Sequence, residues 1–119
     1  MKKPKNTLSI RLPEATFQIV VGYTTVFFTR ADIILAALLN FDRLCIDEKT
    51  DYLKYALELP KHILSIRLSQ LYIELIDSYV TRNVGRAEVV NAAMLAFDAL
   101  DIDTQHQYLD EAKVKNNEN

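Results

Sequence analysis

The residue types that carry out covalent or metal chemistry are few in this chain, and they do not cluster. The two histidines, His62 and His106, have no cysteine or second histidine at the spacing of a metal site, and Cys45 is the only cysteine. There is no glycine-rich phosphate loop, no nucleophile beside an orienting base and no carboxylate pair in an apolar context. We therefore expect neither an enzyme nor a metal or organic cofactor.

The remaining chemistry is hydrogen bonding, and it lies in a five-residue segment that occurs twice. LSIRL covers residues 8–12 and again residues 64–68. In each copy the apolar residues alternate with polar ones, which are Ser9 and Arg11 in the first and Ser65 and Arg67 in the second. A period of two is typical of a half-buried β-strand. Serine and arginine would then share the exposed face of each strand.

The repetition extends far beyond these five residues. Pairing each residue of 8–56 with the residue 56 positions later gives 49 pairs without a gap, and 20 of the pairs are identical. Chance would give only a few identities over such a span. A repeated unit that cannot bury its apolar face alone packs on its neighbour. We therefore expect two units, residues 1–59 and 60–119, that share one core.

In each unit the sequence pattern predicts one strand followed by three helices. Because a single strand must find hydrogen-bond partners outside its own unit, the two strands would pair antiparallel about a local two-fold axis. Pro13 suits a helix start, and Asp32 and Glu88 suit the first turns of later helices. The helices are predicted at about 14–27, 29–44 and 48–59, and at about 70–83, 85–100 and 104–113. Pro60 would end the third, and residues 113–119 would form a short disordered tail.

Composition points to a protein without a membrane segment. Half of the residues are hydrophobic, enough for a core, but no apolar run approaches the length of a membrane span. The basic N-terminus lacks the apolar stretch of a secretory signal, so a cytoplasmic location is the natural expectation. The net charge is only −2. However, nine of the fourteen basic residues fall near the strands and the helix starts, whereas acidic residues concentrate around the third helices.

The segments "TLSIRLPE" and "TRADIILAALLNF", with their counterparts "ILSIRLSQ" and "GRAEVVNAAMLAF", resemble the ribbon-helix-helix family of DNA-binding proteins (Arc/MetJ/CopG-like). The resemblance covers roughly 80 residues and occurs twice in register. Two units in one chain are similar to the TraY-type proteins of conjugative plasmids. The resemblance implies a mainly α fold with a two-stranded antiparallel β-ribbon. The two tandem units would form an intramolecular pseudo-dimer, each with an extra C-terminal helix.

The resemblance also implies a site and a partner. The partner would be double-stranded DNA, with the ribbon inserted in the major groove. The residues implied to face the bases are Thr7, Ser9, Arg11, Ile63, Ser65 and Arg67. Those implied to contact phosphates are Thr29, Arg30, Gly85, Arg86, Lys2, Lys3 and Lys5. Since Ile63 stands where the first unit has a polar residue, the recognised sequence would be asymmetric.

Function stays open between several alternatives. The chain could act as a transcriptional repressor or as an accessory DNA-binding protein of a plasmid or virus, with chains side by side on repeated sites. Alternatively, the scaffold has lost specific DNA binding and binds a partner protein through the acidic third helices or the Phe27–Phe28 patch. Arg11 and Arg67 would then be ordinary solvated residues. An antitoxin-like dual role is a third alternative.

Overall fold

The computed structural model describes residues 4–54 and 60–118. Its elements, in chain order, are the strand β1 (Lys5–Leu12), the helices α1 (Glu14–Tyr23), α2 (Arg30–Arg43) and α3 (Ile46–Leu53), the strand β2 (His62–Ser69), and the helices α4 (Gln70–Asp77), α5 (Arg86–Asp98) and α6 (Ile102–Asn116). The described part of the chain is mainly helical and holds a two-stranded antiparallel sheet, which confirms the predicted fold class at that level. None of its helices is long and apolar enough to cross a membrane.

The sheet is a ribbon whose inner face is apolar and whose outer face is polar. Leu8 and Ile10 of β1 are buried, and so are their partners across the ribbon, Ile66 and Leu64. The residues between them are exposed on both strands. Ser9 lies opposite Ser65, its own counterpart in the repeat, so the register is symmetric under exchange of the two copies.

The first helix of each unit ends earlier than the sequence predicts. α1 ends four residues before the predicted position 27, and α4 ends six residues before position 83. A threonine that recurs in both turns explains the difference. The hydroxyl of Thr25 accepts the backbone N–H of Phe27, and the hydroxyl of Thr81 accepts that of Asn83. Threonine satisfies backbone donors locally in this way and so favours a turn over helix continuation.

Helices α2 and α5 form the centre of the molecule. Every residue from Asp32 to Phe41 is buried, and most of α5 is buried as well. A helix that is apolar on nearly all faces is stable only when other elements surround it. The two helices pack on each other, and the buried residues of both sequence halves join in one hydrophobic cluster.

Two tyrosines make matching contacts between the halves. The hydroxyl of Tyr23 donates to Asp98 at 2.8 Å, and the hydroxyl of Tyr79 donates to Asp42 at 2.7 Å. Each tyrosine ring also packs edge-on against the phenylalanine that precedes that aspartate, with ring centroids 5.3 and 5.2 Å apart. Burial raises the pKa of both tyrosines, which therefore remain donors at neutral pH. The tyrosine, phenylalanine and aspartate that are identical in the two units thus form contacts between the halves.

The third helices differ in length and surroundings. The predicted helix at 48–59 begins earlier, at Ile46, and its predicted end lies outside the described residues. The other, α6, runs to Asn116, beyond the predicted end at 113, so the expectation of a tail from there is wrong. Asn116 is buried, and its amide donates to Asp32 at 2.8 Å. Arg43 also forms a two-pronged pair with Glu111 (2.9 and 2.7 Å). These bonds dock α6 on α2.

A buried hydrogen bond between α1 and α5 yields a stability prediction. Thr16 donates to the amide oxygen of Asn91, and both side chains are buried. Thr16→Val leaves that oxygen without its donor, so we expect the free energy of unfolding to fall by about 1–3 kcal/mol in urea titrations. The matched control adds Asn91→Leu, the residue that the first unit carries at position 35. This double variant should recover much of the loss, and an unchanged urea midpoint for Thr16→Val alone would show that the bond contributes nothing.

Candidate nucleic-acid interface

The exposed face of the ribbon presents all six residues that the sequence predicts as base contacts. Thr7, Ser9 and Arg11 project from β1, and Ile63, Ser65 and Arg67 project from β2. The hydroxyls of the two serines lie 2.8 Å apart and hydrogen bond to each other at the middle of the face. Ile63 is 58% exposed and adds an apolar side chain to this otherwise polar face.

The residues flanking the serine pair differ at its two ends. Arg11 lies opposite Ile63, whereas Arg67 lies opposite Thr7. One guanidinium N–H of Arg67 donates to the backbone oxygen of Lys5 at 3.0 Å, which holds that side chain over its own end of the ribbon. Neither strand contains an acidic residue, whereas Lys5, Arg11 and Arg67 are basic, so the charged side chains of the strands are positive despite the net charge of the chain.

Contacts that sequence reasoning missed fasten both ends of the ribbon to the first helices. At one end His62 donates to the carboxylate of Glu14, and at the other Asn6 donates to Gln70 at 2.6 Å. The two contacts are equivalent in the repeat, since His62 lies 56 positions after Asn6 and Gln70 lies 56 positions after Glu14. Extending the alignment two residues upstream of residue 8 would have paired Asn6 with His62. Chemically the ends differ, because one contact is titratable and the other is neutral.

The titratable contact predicts a specific change in the pKa of Glu14. Hydrogen bonds from His62 and then Gln18 hold the pKa of this carboxyl below its ordinary value. A lowered folded-state pKa means that the contact stabilises the fold above the ordinary pKa and is lost as the pH falls through the lowered one. We expect His62→Asn to raise the midpoint of the Glu14 carboxyl resonance in an NMR titration. A midpoint that stays in place would show that His62 does not hold the carboxylate.

At both predicted phosphate-binding helix starts, a carboxylate of the first turn bonds back to the capping residue; the start of α2 has a full capping box, and the start of α5 has only this half of one, because Gly85 has no side chain. The Thr29 hydroxyl accepts the N–H of Asp32 at 3.2 Å, and the Asp32 carboxylate accepts the N–H of Thr29 at 2.9 Å. At the start of α5 the carboxylate of Glu88 accepts the N–H of Gly85. The backbone N–H groups of Thr29 and Gly85 are therefore occupied within the protein. Any phosphate bound at these positions would depend on the N–H groups further into the helix and on the arginines that follow.

Those two arginines have different surroundings. The guanidinium carbon of Arg30 lies 5.3 Å from the centroid of the Phe17 ring. The guanidinium of Arg86 instead forms two hydrogen bonds of 2.7 Å to the carboxylate of Asp77. The Phe17 ring in turn stacks on His62 with centroids 4.5 Å apart. Phe17 therefore lies between Arg30 and the end of the ribbon at His62.

The predicted lysine contacts are only partly described. Lys5 is in β1, and its ammonium group donates to the backbone oxygen of Asn116 at 2.7 Å, at the C-terminal end of α6. A cation is favourable there because the helix dipole is negative at that end. Lys2 and Lys3 lie outside the described residues.

A further exposed surface is apolar. Val26 and Phe27, in the turn between α1 and α2, are 96% and 68% exposed. The ammonium of Lys113 lies 5.8 Å from the Phe27 ring centroid and 5.5 Å from that of Phe28.

Cys45 is exposed, and residues 4–54 and 60–118 contain no group of three potential ligands that could hold a metal ion.

Compared with models of known protein families, with curated proteins and with solved structures, the chain matches none. The fold therefore defines a class only at a coarse level, a mainly helical protein with a two-stranded antiparallel sheet. Its candidate site is the exposed, acid-free face of that sheet.

Proposed function

We propose that the chain consists of two tandem ribbon-helix-helix units that form an intramolecular pseudo-dimer and bind double-stranded DNA in a sequence-specific manner. The ribbon would enter the major groove. The observation that carries this proposal is the outer face of the ribbon, where serine and arginine project at positions that are symmetric about the Ser9–Ser65 pair. A two-stranded ribbon fits the major groove, where each base pair presents a distinct pattern of hydrogen-bonding groups.

The symmetric contacts of the core support the pseudo-dimer. Each strand pairs with its counterpart, and the Tyr23–Asp98 and Tyr79–Asp42 hydrogen bonds are related by the same exchange of copies. In such an arrangement each unit supplies the strand partner that the other lacks, as in a symmetric dimer. A chain with both units needs no second chain to build the ribbon.

The side chains of the ribbon suit base recognition. An arginine fork can bond to O6 and N7 of guanine, and a serine hydroxyl can donate to or accept from several bases. Ile63 can contact a thymine methyl group, while its counterpart Thr7 can also hydrogen bond. The two half-sites would therefore differ. With roughly six cations meeting phosphates, the logarithm of affinity should fall with the logarithm of salt concentration with a slope of about −5.

Selection of bound duplexes from a random pool, at two salt concentrations, tests the proposal. The protein should enrich an asymmetric motif, and the Arg11→Ala/Arg67→Ala variant should enrich none. Recovery of unenriched DNA by both proteins, or of no DNA at all, would count against base reading. A repressor and an accessory DNA-binding protein of a plasmid or virus share this activity, and the position of the enriched motif in a genome would separate them.

The second candidate function is a protein-interaction module on the same scaffold. Two exposed apolar residues, Val26 and Phe27, favour it, because contiguous apolar surface marks association sites. Charge reversal at Arg11 and Arg67 distinguishes the two functions. DNA binding should collapse under the first, whereas capture of a protein partner through the turn should survive under the second.

A further inference from the structure

The two halves of the proposed DNA-binding surface are unequal at the starts of α2 and α5. Arg30 and Arg86 are identical in the repeat, yet Arg86 forms a two-pronged pair with Asp77. In residues 4–54 and 60–118 no carboxylate forms such a pair with Arg30, whose guanidinium lies against the Phe17 ring instead.

The difference has its origin in two substitutions between the copies. The position equivalent to Asp77 is Val21, and the position equivalent to Phe17 is Ile73. The first unit therefore offers Arg30 an aromatic face and no carboxylate, whereas the second offers Arg86 a carboxylate and no aromatic ring. Val21 and Asp77 are both exposed, so neither residue is needed to fill the core.

A carboxylate and a phosphate compete for the same donors. An arginine fork matches either anion with two parallel hydrogen bonds. Asp77 satisfies the fork of Arg86 from within the protein, and a phosphate that displaced it would come close to a negative charge. Arg86 lowers the pKa of Asp77, which keeps this carboxylate ionised at neutral pH. Contact with the face of an aromatic ring, in contrast, uses the charge of the Arg30 guanidinium and none of its hydrogen-bond donors on a carboxylate, so its N–H groups can still bond to a phosphate.

We propose that Asp77 masks Arg86, that is, its carboxylate occupies the donors that would otherwise bond to a phosphate. The start of α2 then supplies a stronger phosphate contact than the start of α5, and the two units bind the DNA backbone unequally. This inference rests on the proposed DNA binding. It assigns Asp77 as the residue that makes the two phosphate contacts differ.

Exchanging the residue types at positions 21 and 77 tests the proposal without changing the net charge of the protein. The double variant Val21→Asp/Asp77→Val moves the carboxylate from the second unit to the first. Arg30→Ala and Arg86→Ala are then each made in the wild-type and in the transposed background, and affinity for one enriched duplex is measured over a range of salt concentrations. In the wild type we expect Arg30→Ala to weaken binding about fivefold more than Arg86→Ala and to remove about 0.9 from the salt slope. In the transposed protein the order should invert.

A second pair of variants keeps the test decisive if the transposed protein folds poorly. Asp77→Asn and Asp110→Asn each remove one exposed negative charge, and only the first removes a partner of Arg86. Affinity should rise about threefold more for Asp77→Asn than for Asp110→Asn, beyond the general effect of charge. Equal effects of the two would overturn the mask.

The outcomes separate failure of the mask from failure of the proposed function. If the Arg11→Ala/Arg67→Ala variant loses binding but the order of Arg30→Ala and Arg86→Ala is the same in both backgrounds, DNA binding stands and the mask is overturned. If neither background binds duplex DNA at all, both are overturned. Inversion of the order supports the mask directly, because no other charge in the protein has changed.

Discussion

Replacing both Arg11 and Arg67 by alanine should abolish sequence-specific DNA binding while leaving the fold intact. Both side chains are exposed, so their removal opens no cavity. A good two-pronged arginine contact contributes about 1–3 kcal/mol of discrimination. Each arginine lies two residues from the central serine pair, in opposite directions, which puts them about 14 Å apart on the ribbon. Losses at such a separation add, so affinity for the enriched duplex should fall at least about 30-fold.

Lysine replacements separate base reading from general attraction. Arg11→Lys/Arg67→Lys keeps both positive charges but not the planar fork that matches a guanine edge. We expect it to retain affinity for random DNA and the salt dependence of the wild type, measured by fluorescence anisotropy, while losing the preference for the enriched motif. If it keeps that preference, the two residues act as point charges. If the alanine variant also keeps it, the ribbon does not read bases.

The ribbon was predictable because two independent patterns agree on it. Alternation places Leu8 and Ile10 on the inner face, and the repeat supplies a second strand with the same alternation. A slip of one residue would turn all of these side chains outward, which leaves the symmetric register as the solution that buries them. The exposed positions Ser9 and Ser65 follow from the same pattern.

The helix ends were less predictable because they depend on turn chemistry. Apolar residues continue with helical spacing beyond the end of α1, so periodicity alone extends that helix. The hydroxyl of Thr25 ends it by bonding to backbone N–H groups of the turn. The recurrence of threonine at position 81 was visible in the sequence, and it was the available sign that both turns share one local structure.

The polar contacts between helices could not be predicted, because they join residues brought together only by the fold. Asn116 and Asp32 are 84 residues apart, and their bond depends on how α6 lies across α2. The Asp77–Arg86 pair spans a turn whose shape no helical or strand pattern fixes. Comparison of the copies does identify Asp77 as a difference, since Val21 occupies the equivalent position, but the partner of that carboxylate is a matter of tertiary structure.

Removing either of two buried phenylalanines should destabilise the whole protein. Phe41 and Phe97 are fully buried, and each packs edge-on against a tyrosine of the other half. Phe41→Ala and Phe97→Ala should each lower the free energy of unfolding by about 3–5 kcal/mol, because each loses apolar burial and leaves a cavity. The two losses should agree within about 1 kcal/mol, since the surroundings repeat, and Phe41→Leu, which keeps most of the volume, should cost much less.

The site of the effect distinguishes one shared core from two independent units. With a shared core, urea unfolding of Phe41→Ala remains a single transition, and hydrogen exchange speeds up to the same extent in amides of α2 and α5, because opening one half removes the packing of the other. Independent units would respond separately, and α5 would keep its protection when α2 is damaged. That second result would contradict the pseudo-dimer, since the ribbon can exist only while both units hold their strands together.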